Sequence, residues 1–370
     1  MTCKTVETRA EALYGPEVLA AVGEAEDALA RLDERLRMSP VREGFITRTH
    51  FHDAAASLWL AGKLVHVEDL VLHDAAMDLR APTHELTRAH AVLRARRRIA
   101  GAPPSAWMSG GLDALRGQDR RDGRDEADPL EPGMLAPLPS PDDPLAAEFL
   151  AIDAAIERSH RVLAGGFDAS PMSGAATDQF RRELIYDPEH DEKALFAEWR
   201  RRLDATAALP PTLAAAITLD DWRELAPAEH GTWLGPQLVA DLLRSRGKAR
   251  AHLPCVNVGL RAVPWELRRR KDPEARLLAN LFGLKKAADW GLAECDRLIA
   301  SRARLQRGCR GRRRNSRLPA LVDFVLAKPF VTANMAAVEL GVSARAARDM
   351  MTALNLRELT GRGRFRAWGV

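Results

Sequence analysis

The sequence is poor in cysteine and tyrosine, with four Cys and two Tyr in 370 residues. Cys3, Cys255, Cys295 and Cys309 are scattered and form no CxxC pair. This spacing argues against both a disulfide framework and a cysteine zinc site. No stretch approaches the roughly 20 uncharged apolar residues of a membrane span, and the first 15 residues lack the apolar core of a signal peptide. We therefore expect a cytoplasmic protein without a membrane partner.

Common catalytic motifs are also missing from the sequence. It contains no Walker-type phosphate loop, no dinucleotide-binding glycine pattern after a strand, no GxSxG and no HExxH. His50, His52 and Asp53 resemble metal ligands in type, but two histidines at i and i+2 suit a strand better than a helix. No further ligand follows them at helical spacing. The sequence predicts no metal, no cofactor and no enzymatic activity.

The residues that are abundant favour helices. Alanine, leucine, arginine and glutamate dominate, and all four have high helix propensity. Residues 16–37 place Val18, Val22, Leu29 and Leu36 on one helical face, and similar runs recur along the chain. The expected fold class is mainly α, a multi-helix N-terminal and central region followed by a C-terminal winged helix-turn-helix.

Composition suggests five segments. Residues 1–100 read as an N-terminal helical region, and 101–144, rich in Pro, Gly and charge, as a linker or loop. Residues 145–300 are expected to form a central helical domain, with a broken or continuous helix from residue 273. Residues 301–317 contain eight arginines and no acid, which predicts a basic arm. Residues 318–370 are the predicted winged helix-turn-helix.

Charge is distributed unevenly between these segments. Residues 301–370 contain 15 Lys and Arg against 4 Asp and Glu, a net charge of +11, so the first 300 residues carry −7 of the overall +4. Positive charge spread over a whole segment suits a polyphosphate more than an acidic small substrate, since counterion release scales with the number of neutralised phosphates. The charge therefore predicts a nucleic-acid partner.

Residues 332–354 carry the helix-turn-helix pattern. Apolar residues recur at helical spacing on both sides of Gly341, where a residue without Cβ can reverse the chain. Ser343 is a candidate N-cap for the second helix. The alternative is an ordinary pair of packed helices without a ligand. Arginines on both sides favour double-stranded DNA as the partner.

The outward residues of the second helix are the expected major-groove contacts, with Arg345 and Arg348 reaching base edges or phosphates. They are Ser343, Ala344, Arg345, Arg348, Asp349 and Thr352. Residues 357–360 and 365–368 read as two strands around a Gly/Arg tip, the wing. Further DNA contacts are expected from the wing and the arm: Arg362, Arg364, Arg366, Arg310, Arg312, Arg313, Arg314 and Arg317.

Residues 224–262 resemble the Fic-domain region, in which a histidine motif leads into a helix and a leucine–proline turn. His230 matches the motif histidine, and Leu253-Pro254 matches the turn. The resemblance implies a degenerate Fic-like scaffold with His230 as general base of a nucleotidyl or phosphoryl transfer. The magnesium-binding acid and the glycine-rich anion cradle of that motif are missing here, so the transfer lacks a phosphate site.

From the Ala12–Pro16 region to Gly369, the chain also resembles a family of bacterial proteins common in plant-associated rhizobia and often plasmid-borne. In these, a helical domain of unknown function precedes a C-terminal helix-turn-helix. The resemblance implies the same division of the chain. We expect a DNA-binding transcriptional regulator, nucleoid-associated and able to form a homodimer. The alternative is a divergent Fic-like transferase with a DNA-binding or interaction module.

Overall fold

Helices make up most of the described residues in the computed structural model, which covers residues 15–78, 81–107, 190–228, 231–309, 316–359 and 366–370. The helices are α1 (Pro16–Arg37), α2 (Arg42–Leu60), α3 (Val67–Asp74), α4 (His84–Gly101), α5 (Glu192–Asp204), α6 (Pro211–Leu225), α7 (Leu234–Ser245), α8 (Val256–Arg261), α9 (Trp265–Arg268), α10 (Pro273–Cys309), α11 (Leu318–Ala327), α12 (Ala333–Leu340) and α13 (Ala344–Ala353). The strands are β1 (Val331–Thr332), β2 (Arg357–Glu358) and β3 (Ala367–Gly369). The predicted mainly-α fold class is confirmed.

The 37-residue helix α10 is the axis of the fold. Helices α1 and α8 lie so close to it that side chains are restricted at the contacts. A Cβ on Gly259 of α8 would lie 2.0 Å from the carbonyl oxygen of Gly283, and one on Gly291 would lie 2.6 Å from Leu32 of α1. Glycine is therefore required at position 259, where a larger residue would meet backbone and force the helices apart, whereas at position 291 the Leu32 side chain would have to move.

One hydrophobic core connects the N-terminal helices with the C-terminal end of the chain. Its fully buried members include Leu29 of α1, Phe51 of α2, Leu284 of α10 and Leu321 of α11. All described residues except His190 belong to one compact unit. We call the described residues up to 309 the body. The C-terminal helices thus share one hydrophobic core with the body.

Several predicted elements have different limits in the structure. Residues 42–60 form one helix, so His50 and His52 lie on a helix, where residues two apart do not share a face. Helix α10 continues to Cys309, so the first half of the predicted basic arm, 301–309, is helical. Acid-free arginine sequence is compatible with helix here because Ser301 and Leu305 are buried against the fold. The predicted helices in 145–189 and most of the linker 101–144 lie outside the described residues.

A small sheet closes the C-terminal unit. The strand order is β1-β3-β2, and both pairs are antiparallel, with Val331 opposite Trp368 and Glu358 also opposite Trp368. The strands predicted at 357–360 and 365–368 are present over shorter ranges. The tip between them, including Arg362 and Arg364, lies outside the described residues. We call residues 318–370 the HTH unit.

Candidate nucleic-acid interface

The turn of the HTH unit is specified by caps on both of its helices. The Thr332 hydroxyl accepts a hydrogen bond from the Met335 amide (3.2 Å) at the start of α12, and the Ser343 hydroxyl accepts one from Ala346 (3.2 Å) at the start of α13. Between the helices Gly341 adopts φ 62° and ψ 42°, the left-handed conformation that glycine tolerates at least cost. The capping residues fix where each helix begins and ends.

Helix α13 has one buried face and one exposed face. Ala347 and Met351 are buried against α12 and the core. Arg345 and Arg348 are exposed, and Thr352 is exposed one turn further on. At 3.6 residues per turn these three fall within about 60° of the helical circumference, centred roughly 110° from the buried pair. Two arginines therefore point away from the fold from the same side of α13.

The other predicted contact residues of this helix lie nearby. Asp349 is exposed and Ala344 is half-buried. The Ser343 hydroxyl already accepts the capping hydrogen bond, and the Thr352 hydroxyl donates one to the Arg348 carbonyl (3.0 Å). Among the described residues, no carboxylate pairs with Arg345 or Arg348. Both guanidinium groups keep their donors available.

Arg366, predicted as a wing contact, has partners within the sheet. Its guanidinium donates to the Glu358 carboxylate from Nε (2.8 Å), and its Cζ lies 5.6 Å from the centre of the Trp368 ring. Glu358 is on β2 and Arg366 directly precedes β3, so the pair joins the two strands at their base. The geometry fits a role in holding the hairpin.

The arm contains both bound and exposed arginines. Arg302 donates to the Pro40 carbonyl (2.6 Å) and lies 3.9 Å from Asp323, so its charge is used inside the fold. Arg304, Arg307 and Arg317 are exposed. A Cβ on Gly308 would lie 3.4 Å from the Leu354 side chain at the end of α13. Arg310, Arg312, Arg313 and Arg314 follow directly but lie outside the described residues.

A buried arginine of the body holds the HTH unit. Arg48 of α2 donates to the Pro329 carbonyl (3.0 Å) and to that of Lys328, just beyond the end of α11. Its Nε lies 2.9 Å from Glu294 Oε1 of α10. Burial lowers the pKa of Arg48 to about 10, and Glu294 offsets part of this effect, so the guanidinium is charged at neutral pH. A cation next to the last carbonyls of a helix is favourable.

The same glutamate connects to the last strand. Arg297 donates to Glu294 (2.6 Å) and to the carbonyl of Val370. Burial favours the neutral form of Glu294, but Arg297 and Arg48 outweigh it and lower the pKa of this carboxyl group. The chain Arg48–Glu294–Arg297 thus contacts the HTH unit at two places. The sequence analysis did not predict this chain of ion pairs, because Arg48, Glu294 and Arg297 each stand out only as a single charged residue in a helix.

Asp74, at the end of α3, provides a second attachment. Arg97 of α4 donates to both of its oxygens (2.6 and 2.9 Å), and Lys328 lies 3.4 Å away. Lys328 Nζ is also 4.9 Å from the centre of the Phe51 ring. Burial opposes ionisation of Asp74, but His90, Arg97 and Lys328 together lower its pKa. The segment between α11 and α12 is therefore held by charge on both sides.

The residues that suggested other chemistry have structural partners. Asp53 is fully buried and accepts from Arg96 (2.8 Å), from the Asn257 amide group (3.0 Å) and from the Val258 backbone (3.2 Å). Arg96 also donates to the Leu253 carbonyl (2.8 Å), which fixes the leucine–proline turn. His230 lies outside the described residues, and the Fic-like resemblance stays a sequence-based prediction. No group of three metal-ligating side chains occurs among the residues the structure describes.

Comparison with known proteins gives separate matches for two parts of the chain. Residues 318–370 match a family described as an HTH DNA-binding domain, and residues 184–310 match one described as a protein of unknown function, DUF1612. The C-terminal part of the chain is therefore a helix-turn-helix DNA-binding domain. It is 43% identical over 376 residues to the uncharacterized protein y4cF of Sinorhizobium fredii, covering 97% of each chain. The chain belongs to the family of that rhizobial protein, in which a DUF1612 domain precedes the HTH domain.

This membership confirms the predicted resemblance to rhizobial proteins with a C-terminal helix-turn-helix. The structure adds one observation on the membrane: none of the helices in its described parts is long and apolar enough to span a bilayer.

Proposed function

We propose that the protein is a transcriptional regulator that binds double-stranded DNA by placing α13 in the major groove. The observation that carries this proposal is the exposed pair Arg345 and Arg348 on one side of α13, away from its buried residues. Guanidinium groups bind guanine edges or phosphates through paired donors, and no carboxylate of the described chain occupies them. The match of residues 318–370 to an HTH DNA-binding domain supports it.

Residues around the pair would set the position of the helix on DNA. In this proposal, Arg345 and Arg348 contact bases or phosphates, and Thr352 lies one turn further along the groove. Ser343 and Ala344 at the start of α13 approach the backbone. Asp349 on the same face would repel phosphates and favour a cytosine amino group. This acid therefore contributes to sequence preference more than to affinity.

Backbone contacts would come from the arm and the wing. Arg317 is exposed, and the arginines 310 and 312–314 follow a helix end that lies beside the end of α13. Arg362 and Arg364, predicted for the wing tip, would add further contacts, and the Arg366–Glu358 pair joins the strands on either side of that segment. These cations supply affinity that does not depend on sequence and falls with salt.

As a homodimer, the protein would bind two half-sites about 34–36 Å apart, or a multiple of one helical turn. We propose this state together with a cytoplasmic, nucleoid-associated location. The proposal assigns no catalysis. Magnesium-dependent transfer of label from ATP that is abolished by His230→Ala would contradict that part.

The test is selection of the preferred duplex from a random library, followed by anisotropy titrations. Arg348→Ala should weaken binding to the selected site by about 1–3 kcal/mol, roughly 5- to 150-fold. Arg201→Ala, an exposed arginine on α5, serves as control and should bind like the wild type. Equal affinities of Arg348→Ala and the control would remove α13 as the recognition helix.

A further inference from the structure

A second basic surface lies on the body, around α9. Residues 261–271 contain five cations and one acid, whereas the first 300 residues taken together are net acidic. The cations are Arg261, Arg268, Arg269, Arg270 and Lys271. All except the half-buried Arg268 are exposed, and no carboxylate of the described residues pairs with any of them. We call this surface, together with Trp59, the basic–aromatic patch.

Three of these arginines lie over tryptophan rings at cation–π distance, and Arg269 is the closest. The Arg269 Cζ lies 3.8 Å from the centre of the Trp265 ring, and Arg268 lies 5.0 Å from that of Trp59. Arg261 lies 5.2 Å from the Trp59 ring on the same side of the body. Trp265 itself is 54% exposed. Stacking holds a guanidinium by its face and leaves its in-plane N–H donors free.

This arrangement is suited to anions that present oxygens at the surface. A stacked arginine is already ordered, so less side-chain entropy is lost when it binds a phosphate. Most exposed arginines of the body are instead paired with acids, as Arg35 is with Asp296 (2.7 Å). The patch therefore differs from the remaining body surface in both charge and order.

The position of the patch relative to the HTH unit restricts the ligand. The patch lies at the start of α10. Arg223 of α6 donates to the Arg268 carbonyl of the patch and to the Asp220 carboxylate. Arg276, near the start of α10, donates to the same carboxylate. The other end of α10, at Gly308, touches the end of α13. From Arg276 to Gly308 the helix extends about 48 Å, which equals roughly 14 base pairs of B-DNA. A long polyphosphate such as duplex DNA can reach both the patch and the end of α13, whereas a short one cannot.

We infer that the basic–aromatic patch is a second DNA-contact surface, which binds backbone phosphates of the same duplex outside the segment contacted by α13. The inference rests on the proposed binding of duplex DNA but not on α13 as the element that reads it. The patch contributes affinity without sequence preference, because its donors face phosphates and no groove-entering element carries them.

The experiment compares two duplexes of about 12 and 30 base pairs with the same selected site at one end. Binding is measured by anisotropy at several salt concentrations. The test variant is Arg269→Glu with Arg270→Glu. The matched control is Lys193→Glu with Arg201→Glu, which changes the net charge equally at exposed positions of α5. On the long duplex, the test variant should reduce the magnitude of the salt slope by about two, since each phosphate contact contributes about 0.9.

On the short duplex, both double variants should match each other. A test variant that behaves like the control on the long duplex overturns the inference and leaves an acidic protein as the better occupant of the patch. The milder pair Arg269→Gln with Arg270→Gln gives the same comparison if the glutamates lower the melting temperature. Arg348→Ala separates the two proposals. If only Arg348→Ala weakens binding, the inference about the patch fails and the α13 proposal stands. If only the patch variant weakens binding, the α13 proposal fails and the inference about the patch stands.

Discussion

At the scale of single residues, buried arginines join segments that are far apart in the sequence. Arg96 connects α4 with Asp53 of α2 and with the turn before α8. Arg48 connects α2 with α10 and with the HTH unit. Each guanidinium satisfies carbonyl and carboxylate oxygens at once, which its planar set of donors allows and a lysine ammonium does not.

Removal of Arg96 should destabilise the body strongly. Arg96→Leu leaves the Asp53 carboxylate buried without its main partner, and we expect the free energy of unfolding to fall by about 3–5 kcal/mol. Urea denaturation measures the change. Arg201→Ala, which breaks an exposed pair with Glu198, should cost no more than about 1 kcal/mol. If Arg96→Leu costs no more than Arg201→Ala, the buried Asp53 carboxylate does not depend on Arg96.

His252 should make stability depend on pH in a limited window. Burial lowers the pKa of His252 to about 4, and the nearby Asp33 offsets only part of this effect. In the unfolded chain the pKa is about 6.5. Between pH 6.5 and 4 the unfolded state therefore takes up a proton that the folded state does not. The free energy of unfolding should fall with decreasing pH by up to about 1.4 kcal/mol per unit, and this contribution vanishes above pH 6.5.

Denaturation curves from pH 4 to 8 check this slope. His252→Gln should reduce this slope, and His84→Gln at an exposed position serves as the control. An equal slope in wild type and His252→Gln would contradict the assignment. Burial also lowers the pKa values of His50 and of His52, the latter to about 4, so their contributions of the same sign persist in the variant.

At the scale of elements, the turn of the HTH unit and the first helix use glycine in opposite ways. Gly341 adopts φ 62°, and no atom lies within 4 Å of a Cβ added there. Gly341→Ala should therefore lower the free energy of unfolding by about 1–2 kcal/mol through backbone strain alone. Gly23 lies exposed inside α1, and Gly23→Ala should raise it by about 0.5–1 kcal/mol. Urea denaturation of both variants gives the two signs, and a change of equal sign would contradict the explanation.

The elements that could be predicted are those whose local signals agree. The caps at Thr332 and Ser343, the turn at Gly341 and the amphipathic pattern of α13 all indicate the same two helices. The stripe of Arg345 and Arg348 follows from that pattern. The full length of α10 could not be predicted, because the residues after Ser301 lack an apolar stripe and Leu305 is the one buried apolar side chain described among them.

Pairings across long separations escaped prediction for a different reason. Arg48 and Glu294 lie 246 positions apart, and each is an ordinary charged residue in its own segment. The basic–aromatic patch combines Trp59 with residues 261–271, which meet only after α8 packs on α2 and α10. The run of cations is visible in the sequence, but tertiary packing creates its contact with Trp59, and no local pattern shows that pairing.

At the scale of the whole molecule, the HTH unit is held against the body by the Arg48–Glu294–Arg297 chain. Arg48→Met leaves Glu294 and the Lys328 and Pro329 carbonyls without this donor, at a cost of about 3–5 kcal/mol. Amide hydrogen exchange in residues 318–359 should then accelerate by roughly a hundredfold or more, while α5 and α6 keep their protection.

Mass spectrometry of exchanged peptides measures this difference. The control is Arg35→Met, which removes an exposed ion pair with Asp296 on the same helix, two residues from Glu294. Uniform acceleration along the chain would mean that Arg48 stabilises the whole fold. Unchanged exchange in the HTH unit would mean that the shared hydrophobic core alone holds it.

The continuity of α10 restricts how this chain can change in length. Each residue inserted into or deleted from a helix turns everything beyond it by about 100° and shifts it by about 1.5 Å. Between Glu294, which binds Arg48, and Gly308, which touches Leu354, a single deletion would rotate one contact away while the other stays in place. Insertions that a surface loop would accept are therefore not expected between Glu294 and Gly308, and the spacing of these two residues is as much a determinant of the fold as the residues themselves.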